Sequence, residues 1–248
     1  MGLLTLTGAG LSPWSISSGD PYFSSVVLLA LNENGADAGT TFDDASASNH
    51  TLTAVGNAQW DTAQAPTGLT SSLLLDGTGD YLSAADHANW DFTNGDFTVE
   101  LHARFNGSPP ASVRRIIGHD TFPGNRAWAL NWRGDLTPDL SFFYSTDGTN
   151  ITDSADRDWA ATGDTWYHLA ACRSGANLRI FVNGAILGTA YDAGTETIAS
   201  TASALAIGSV TWTGGFEFTG WIAAVRITKG VARYTGTFTP PTLPLPTS

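Results

Sequence analysis

The chain has 11 basic residues against 23 acidic ones, yet Arg226, Lys229 and Arg233 crowd into the stretch VRITKGVARY near its end. Opposed charge patches guide register between adjoining subunits, so on an acidic protein this cluster is a candidate attachment surface. The simpler alternative is local pairing with some of the aspartates. Hydrolysis of a sugar bond would instead need two carboxylates flanking that bond, one of them kept protonated. The four glutamates, Glu33, Glu100, Glu196 and Glu217, have no acidic neighbour two to four residues away on one strand face. There is no G-x-S-x-G elbow and no H-E-x-x-H helix. The five histidines are isolated from one another, and His102 and His168 read as hydrogen-bonded strand residues.

Two other chemistries have candidates. The loop NENGADAGTTFDDASASN supplies Asn32, Asn34, Asp37, Asp43, Asp44, Ser46 and Asn49, the oxygen donors that a hard cation such as calcium takes. The same composition also builds Asx-turns with no metal at all. Among nine tryptophans, Trp128 and Trp132 alternate with Leu130 onto one side of a strand and read as core. Trp159, in DRDWAATGD, and Trp212, in GSVTWTGGFEF, lie in loop-like contexts. They are the candidates for stacking on a sugar ring, the alternative being burial beneath a loop.

The elements that must carry these residues are strands. At 248 residues, with 42% hydrophobic and 14% charged residues, the chain can bury one substantial core. Apolar alternation and short apolar runs between Gly, Asp and Asn turns predict strands at 26–31, 50–55, 71–76, 97–105, 114–120 and 127–132. More follow at 140–145, 166–174, 178–183, 204–209 and 220–228, and Asn183-Gly184 reads as a hairpin turn. In FTVELHARF the residues Phe97, Val99, Leu101, Ala103 and Phe105 share one face. In WIAAVRIT alternation sets Ala223, Val225 and Ile227 opposite Arg226, so that with the former in the core Arg226 faces out. Many short strands without amphipathic helices point to an all-β, two-sheet antiparallel sandwich or jelly roll. The domain is expected over 25–235, with a Gly- and Ser-rich N-terminal arm at 1–24 and a proline-rich C-terminal arm at 236–248.

Composition excludes other classes. A formal charge of -12 and a pI near 4.5 repel phosphate backbones, so nucleic acid is not an expected partner. The longest apolar run, VVLLAL, is too short to span a bilayer, and the N-terminus does not read as a secretory signal. The one cysteine, Cys172, lies in an apolar strand pattern, and no intrachain disulfide can form.

The stretches SLLLDGTGDYLS, GDFTVELHARF, WYHLAACRSGANLRIFVNG and FTGWIAAVRITKGVARY together resemble the laminin G-like group of concanavalin A-like jelly rolls. The segment from Tyr22 through Thr62 and the closing KGVARYTGTFTPPTLPLP are similar to the form common in bacteriophage virion and tail proteins. The resemblance implies two facing antiparallel sheets and places Trp166 and Trp221 at core positions. It also implies a calcium site in some members, which maps to Asp44 and Asn49, although Ala223 and Ala224 stand where many members carry Asp. The expected function is a non-enzymatic virion structural protein on the particle exterior, made in the host cytoplasm, that decorates the capsid. Its expected partners are other virion proteins and copies of itself. The alternative is a tail-fibre adhesin or a lectin that contacts host glycans.

Overall fold

The computed structural model describes residues 19–135, 137–212 and 215–248, which leaves most of the expected N-terminal arm outside the described residues. Where apolar residues alternate or run together, the backbone is extended. In chain order the strands are β1 (Val26–Ala30), β2 (Thr53–Val55), β3 (Gln59–Asp61), β4 (Ser72–Asp76), β5 (Tyr81–Ala84), β6 (Phe97–Phe105), β7 (Val113–Thr121) and β8 (Asn125–Arg133). They continue with β9 (Asp139–Tyr144), β10 (Asp153–Asp158), β11 (Trp166–Ser174), β12 (Asn177–Val182), β13 (Ala185–Ile186), β14 (Tyr191–Asp192), β15 (Leu205–Ile207) and β16 (Thr219–Lys229). Two single-turn 3-10 helices, Phe23–Ser25 and Ala88–Trp90, are the helical elements among the described residues.

The strands form two antiparallel sheets. The first runs β13-β12-β11-β6-β16-β4-β3, with β14 also on β12 and β1 also on β16. The second runs β10-β9-β8-β7-β15-β5-β2. This is the expected sandwich, and its core is the inward face of each strand: Phe97, Val99, Leu101, Ala103 and Phe105 of β6 meet Trp128, Leu130 and Trp132 of β8 and Phe142 of β9. Strand β10, DSADRD, carried no apolar pattern to announce it. It is an edge strand, where charged side chains discourage pairing with another chain.

Strand β16 needs a device that simple alternation lacks. Ile222, Val225 and Ile227 all lie in the core, which an unbroken period of two forbids. A bulge between Ala223 and Arg226 inserts an extra residue, and Ala224 adopts φ 49 there. The bulge also marks where the neighbour of β16 changes from β4 to β1.

The chain after β16 crosses the outer face of the first sheet as a strap. Thr98 Oγ1 donates to the Val231 carbonyl and accepts from the Arg233 amide. Tyr234 and Phe238 stack at 3.5 Å between ring centres, and Phe238 packs on Phe181 and His168. The Phe238 amide donates to the Gly184 carbonyl, at the second residue of the Asn183-Gly184 turn. Farther along, Asn32 accepts from the Leu245 amide at 2.6 Å and donates to its carbonyl at 2.9 Å. The strap ends with the Ser248 carbonyl accepting from the Asp20 amide. A Cβ on Gly68 would run into the Leu243 carbonyl, so that loop and the strap are in close contact.

Candidate functional site

The strap converts the outer face of the first sheet from a solvated surface into an interior. Arg226 lies on the face opposite the core, as alternation predicts, but it is 3% exposed, because Asp20 and the strap cover it. Its Nε donates to Glu100 Oε1 at 2.8 Å and its Nη1 to Asp20 Oδ2 at 3.1 Å. Arg233 grips both oxygens of Asp20, at 2.9 and 2.6 Å. Glu100 Oε2 accepts from Tyr234 at 2.8 Å and lies 3.0 Å from His168 Nε2. Lys229 donates to the Ala88 carbonyl at 2.6 Å. The expected attachment surface of Arg226, Lys229 and Arg233 is therefore corrected: the two guanidiniums are spent on internal carboxylates, since a desolvated charge is stable only when paired and hydrogen-bonded.

The charges in this network follow from its geometry. Burial alone would raise the Glu100 carboxyl, but the bonds from His168 and Tyr234 and the Arg226 charge outweigh it, and its pKa falls to about 2. Burial likewise opposes ionisation of Asp20, and the Arg233 bonds overcome it and lower its pKa. Glu100 therefore stays ionised at neutral pH and offers no proton for acid catalysis.

Beside this network a groove of about 570 Å³ opens between the strap and the loop after β3. Its floor is His102 of β6 with Trp166 and His168 of β11, and its walls are Pro66, Gly68 and the strap residues Pro240 to Leu243. Register sets His168 against His102 and Trp166 against Arg104. The imidazoles are 5.1 Å apart, centre to centre. His168 Nε2 donates to the Glu100 carboxylate, which leaves its Nδ1 as the ring's other nitrogen. That Nδ1, and Nδ1 of His102, are buried with no partner among the described residues. Burial pushes the His102 pKa down to about 4, with His168 adding to the effect and Glu100 opposing it. Trp166 is half-buried, with its ring toward the groove lining. A half-exposed indole beside unpaired polar atoms in a concave site is the composition of a small-ligand seat.

Trp166 and Trp221 thus lie on the outer side of their sheet: the core reading of half-buried Trp166 is corrected, while Trp221 is buried as expected but outside the space between the sheets. Trp221 is covered there by the Arg104 guanidinium at 4.8 Å and donates to Asp61 at 2.6 Å. The signal for Trp166 was in the sequence: in WYHLAAC, Trp166 and His168 share the phase opposite Leu169 and Ala171. The two tryptophans expected to stack on sugar are elsewhere. Trp159 is wedged edge-on against Trp132 and Tyr167 at 5.6 and 4.9 Å, and Trp212 is half-buried beside Phe216.

Calcium does not fit at Asp44. Its Oδ1 accepts from the amides of Leu29 and Ser46, and its Oδ2 from the Ser46 hydroxyl and the His50 amide, each at 2.9 Å. A carboxylate has about four lone-pair sites, and here hydrogen-bond donors fill them all. Asn49 is exposed at φ 48, a turn conformation that asparagine tolerates. Among the described residues no group of three or more His, Cys, Asp or Glu is placed to hold a metal ion. The loop is the Asx-turn structure that was the alternative reading.

With this geometry in view, comparisons with known proteins become informative. The laminin G family model described as the concanavalin A-like lectin/glucanases superfamily matches residues 76–233. No curated protein matches the chain in sequence. Among solved structures, the binding domain of Paraclostridial Mosquitocidal Protein 1 is similar with a TM-score of 0.65 at 10% identity, over 85% of this chain and 50% of that one. Domain 4 of AbnA, an extracellular arabinanase from Geobacillus stearothermophilus, in complex with arabinotriose, has a TM-score of 0.58 at 15% identity, over 84% of this chain and 95% of that domain. The botulinum neurotoxin serotype D ligand binding domain in complex with N-acetylneuraminic acid has a TM-score of 0.62 at 14% identity, over 85% and 49%. The chain spans about half the length of the toxin domains. At these identities the likeness carries the fold, a lectin-like jelly roll of the kind used in binding domains.

Proposed function

The chain belongs to the concanavalin A-like lectin/glucanases superfamily, and from that premise we propose that it is a non-catalytic glycan-binding module whose sugar seat is the groove over His102, Trp166 and His168. The observation that carries this reading is the groove itself, where a half-exposed indole adjoins two imidazoles whose Nδ1 atoms are buried without partners among the described residues. Sugars present C–H faces that stack on aromatic rings and hydroxyls that both donate and accept hydrogen bonds, which is what this lining lacks and can use. Probing a glycan microarray with the full chain tests it. Binding to a defined glycan set, lost in Trp166→Ala with the fold retained by circular dichroism, is the expected result. Binding unaffected by Trp166→Ala would move the seat elsewhere, and the absence of any binding would overturn the reading.

The setting we propose is the exterior of a bacteriophage particle, either as capsid decoration or as a tail-borne adhesin. The phage-type stretches at 22–62 and 229–246 support it. Immunogold labelling of particles from a source lysate distinguishes these: gold over heads means decoration, gold at tail ends means adhesion, and antigen free of particles would overturn the virion setting while leaving the glycan seat in place.

A further inference from the structure

Resting on the reading of the groove as a glycan seat, we infer that the glycan it takes is uncharged, a neutral oligosaccharide rather than a sialylated or uronic-acid-bearing one. The lining has no Asp, Glu, Lys or Arg among the described residues. Sites that recognise carboxylates supply a guanidinium, an ammonium or a convergent set of N–H donors. The neighbouring cations are already engaged: Arg104 holds Asp164 at 2.8 Å and lies over Trp221, while Arg226 and Arg233 hold Glu100 and Asp20.

The unpartnered atoms point the same way. Nδ1 of His102 and Nδ1 of His168 are without partners among the described residues, and a hydroxyl can serve a ring nitrogen whether that nitrogen donates or accepts. A sugar hydroxyl both donates and accepts, whereas a carboxylate only accepts. His102 contributes no positive charge at neutral pH, given its lowered pKa. At long range the formal charge of -12 repels an anionic ligand and leaves a neutral one indifferent. The walls of Pro66, Pro240 and Leu243 and the Trp166 ring supply apolar contact for the sugar's C–H faces.

The test is calorimetric titration of the full chain at neutral pH with paired probes: a panel of neutral gluco-, galacto-, manno-, xylo- and arabino-oligosaccharides, and counterparts ending in sialic or glucuronic acid. The expected result is that at least one neutral probe binds and its acidic counterpart binds at least tenfold more weakly. Thr242 is exposed on the groove wall, and Thr242→Arg, which adds the missing guanidinium without touching the floor, should narrow that gap. An acidic probe that binds the unaltered chain as tightly as its neutral counterpart, or more tightly, would overturn this inference and leave the glycan seat standing. Failure of every probe of either kind with the folded chain would overturn the glycan reading and this inference with it.

Discussion

Both sheets carry a buried cluster of guanidiniums and carboxylates on the face away from the core, and the two clusters are closed to different degrees. On the first sheet, Arg226 and Arg233 share Glu100 and Asp20, two cations with two anions, and Tyr234, His168 and Thr228 complete the hydrogen bonding. On the second sheet, Arg115 and Arg126 share the single carboxylate of Asp120, at 2.8 and 2.9 Å, and both lie over the Phe143 ring. Arg115 Nε and Nη1 are buried without partners among the described residues, and burial lowers its pKa to about 10. The balanced cluster ties Asp20 and the strap to the sheet and so builds the wall of the groove. The unbalanced one joins β7 to β8. A charge network is stabilising, or merely tolerated, according to whether its count closes.

The largest effect expected from this contrast is Arg226→Met, which leaves Glu100 and part of Asp20 buried without their cation. Breaking a buried pair in this way costs about 3–5 kcal/mol, read as a lower denaturation midpoint in urea, together with release of the strap as faster amide exchange at Phe238 and Leu245. Acid comes next. The His102 pKa lies at about 4 in the folded protein against 6.5 when unfolded, so between these values the unfolded chain takes up the proton and the folded one does not. Stability therefore falls as pH drops from 6.5 to 4, by roughly 3 kcal/mol for this group, since each tenfold difference in proton affinity between the two states is worth about 1.4 kcal/mol. His50 and His119 are lowered by burial as well and act in the same direction. Glu100, at about 2 against 4.5, adds a second loss as pH falls from 4.5 toward 2. Melting curves across pH 3 to 7 check the window, and a melting temperature that does not move between pH 6.5 and 4 would contradict it. The smallest effect is Arg115→Met, which removes an underpaired charge while Arg126 keeps Asp120 paired: about 1 kcal/mol or less. Equal losses for Arg226→Met and Arg115→Met would erase the distinction between the two faces.

Much of the fold was legible because strands announce themselves by period. The windows 97–105 and 166–174 read from alternation coincide with β6 and β11, and Asn183-Gly184 makes the expected hairpin turn. Strand β10 was not legible, because an edge strand of DSADRD buries too little to leave an apolar pattern. The site was legible only in part. Alternation says that Arg226 points away from the core, but not what covers it, and its partner Asp20 is 206 residues away in sequence. Trp166 and His168 were in phase on the outer side of one strand, and that local signal was sound where the family-level expectation of a core tryptophan was not. Asp44 shows the converse limit: oxygen-rich loops look alike in sequence whether their lone pairs face a cation or their own backbone.

The measurement that tests the groove most directly is a titration of the isotope-labelled chain with a bound neutral oligosaccharide, following the indole and imidazole nitrogens by NMR. The account predicts that the Trp166 indole and the ring nitrogens of His102 and His168 shift with saturation while Trp159 and Trp212 stay in place. Shifts at Trp159 or Trp212, with Trp166 and both imidazoles silent, would contradict it.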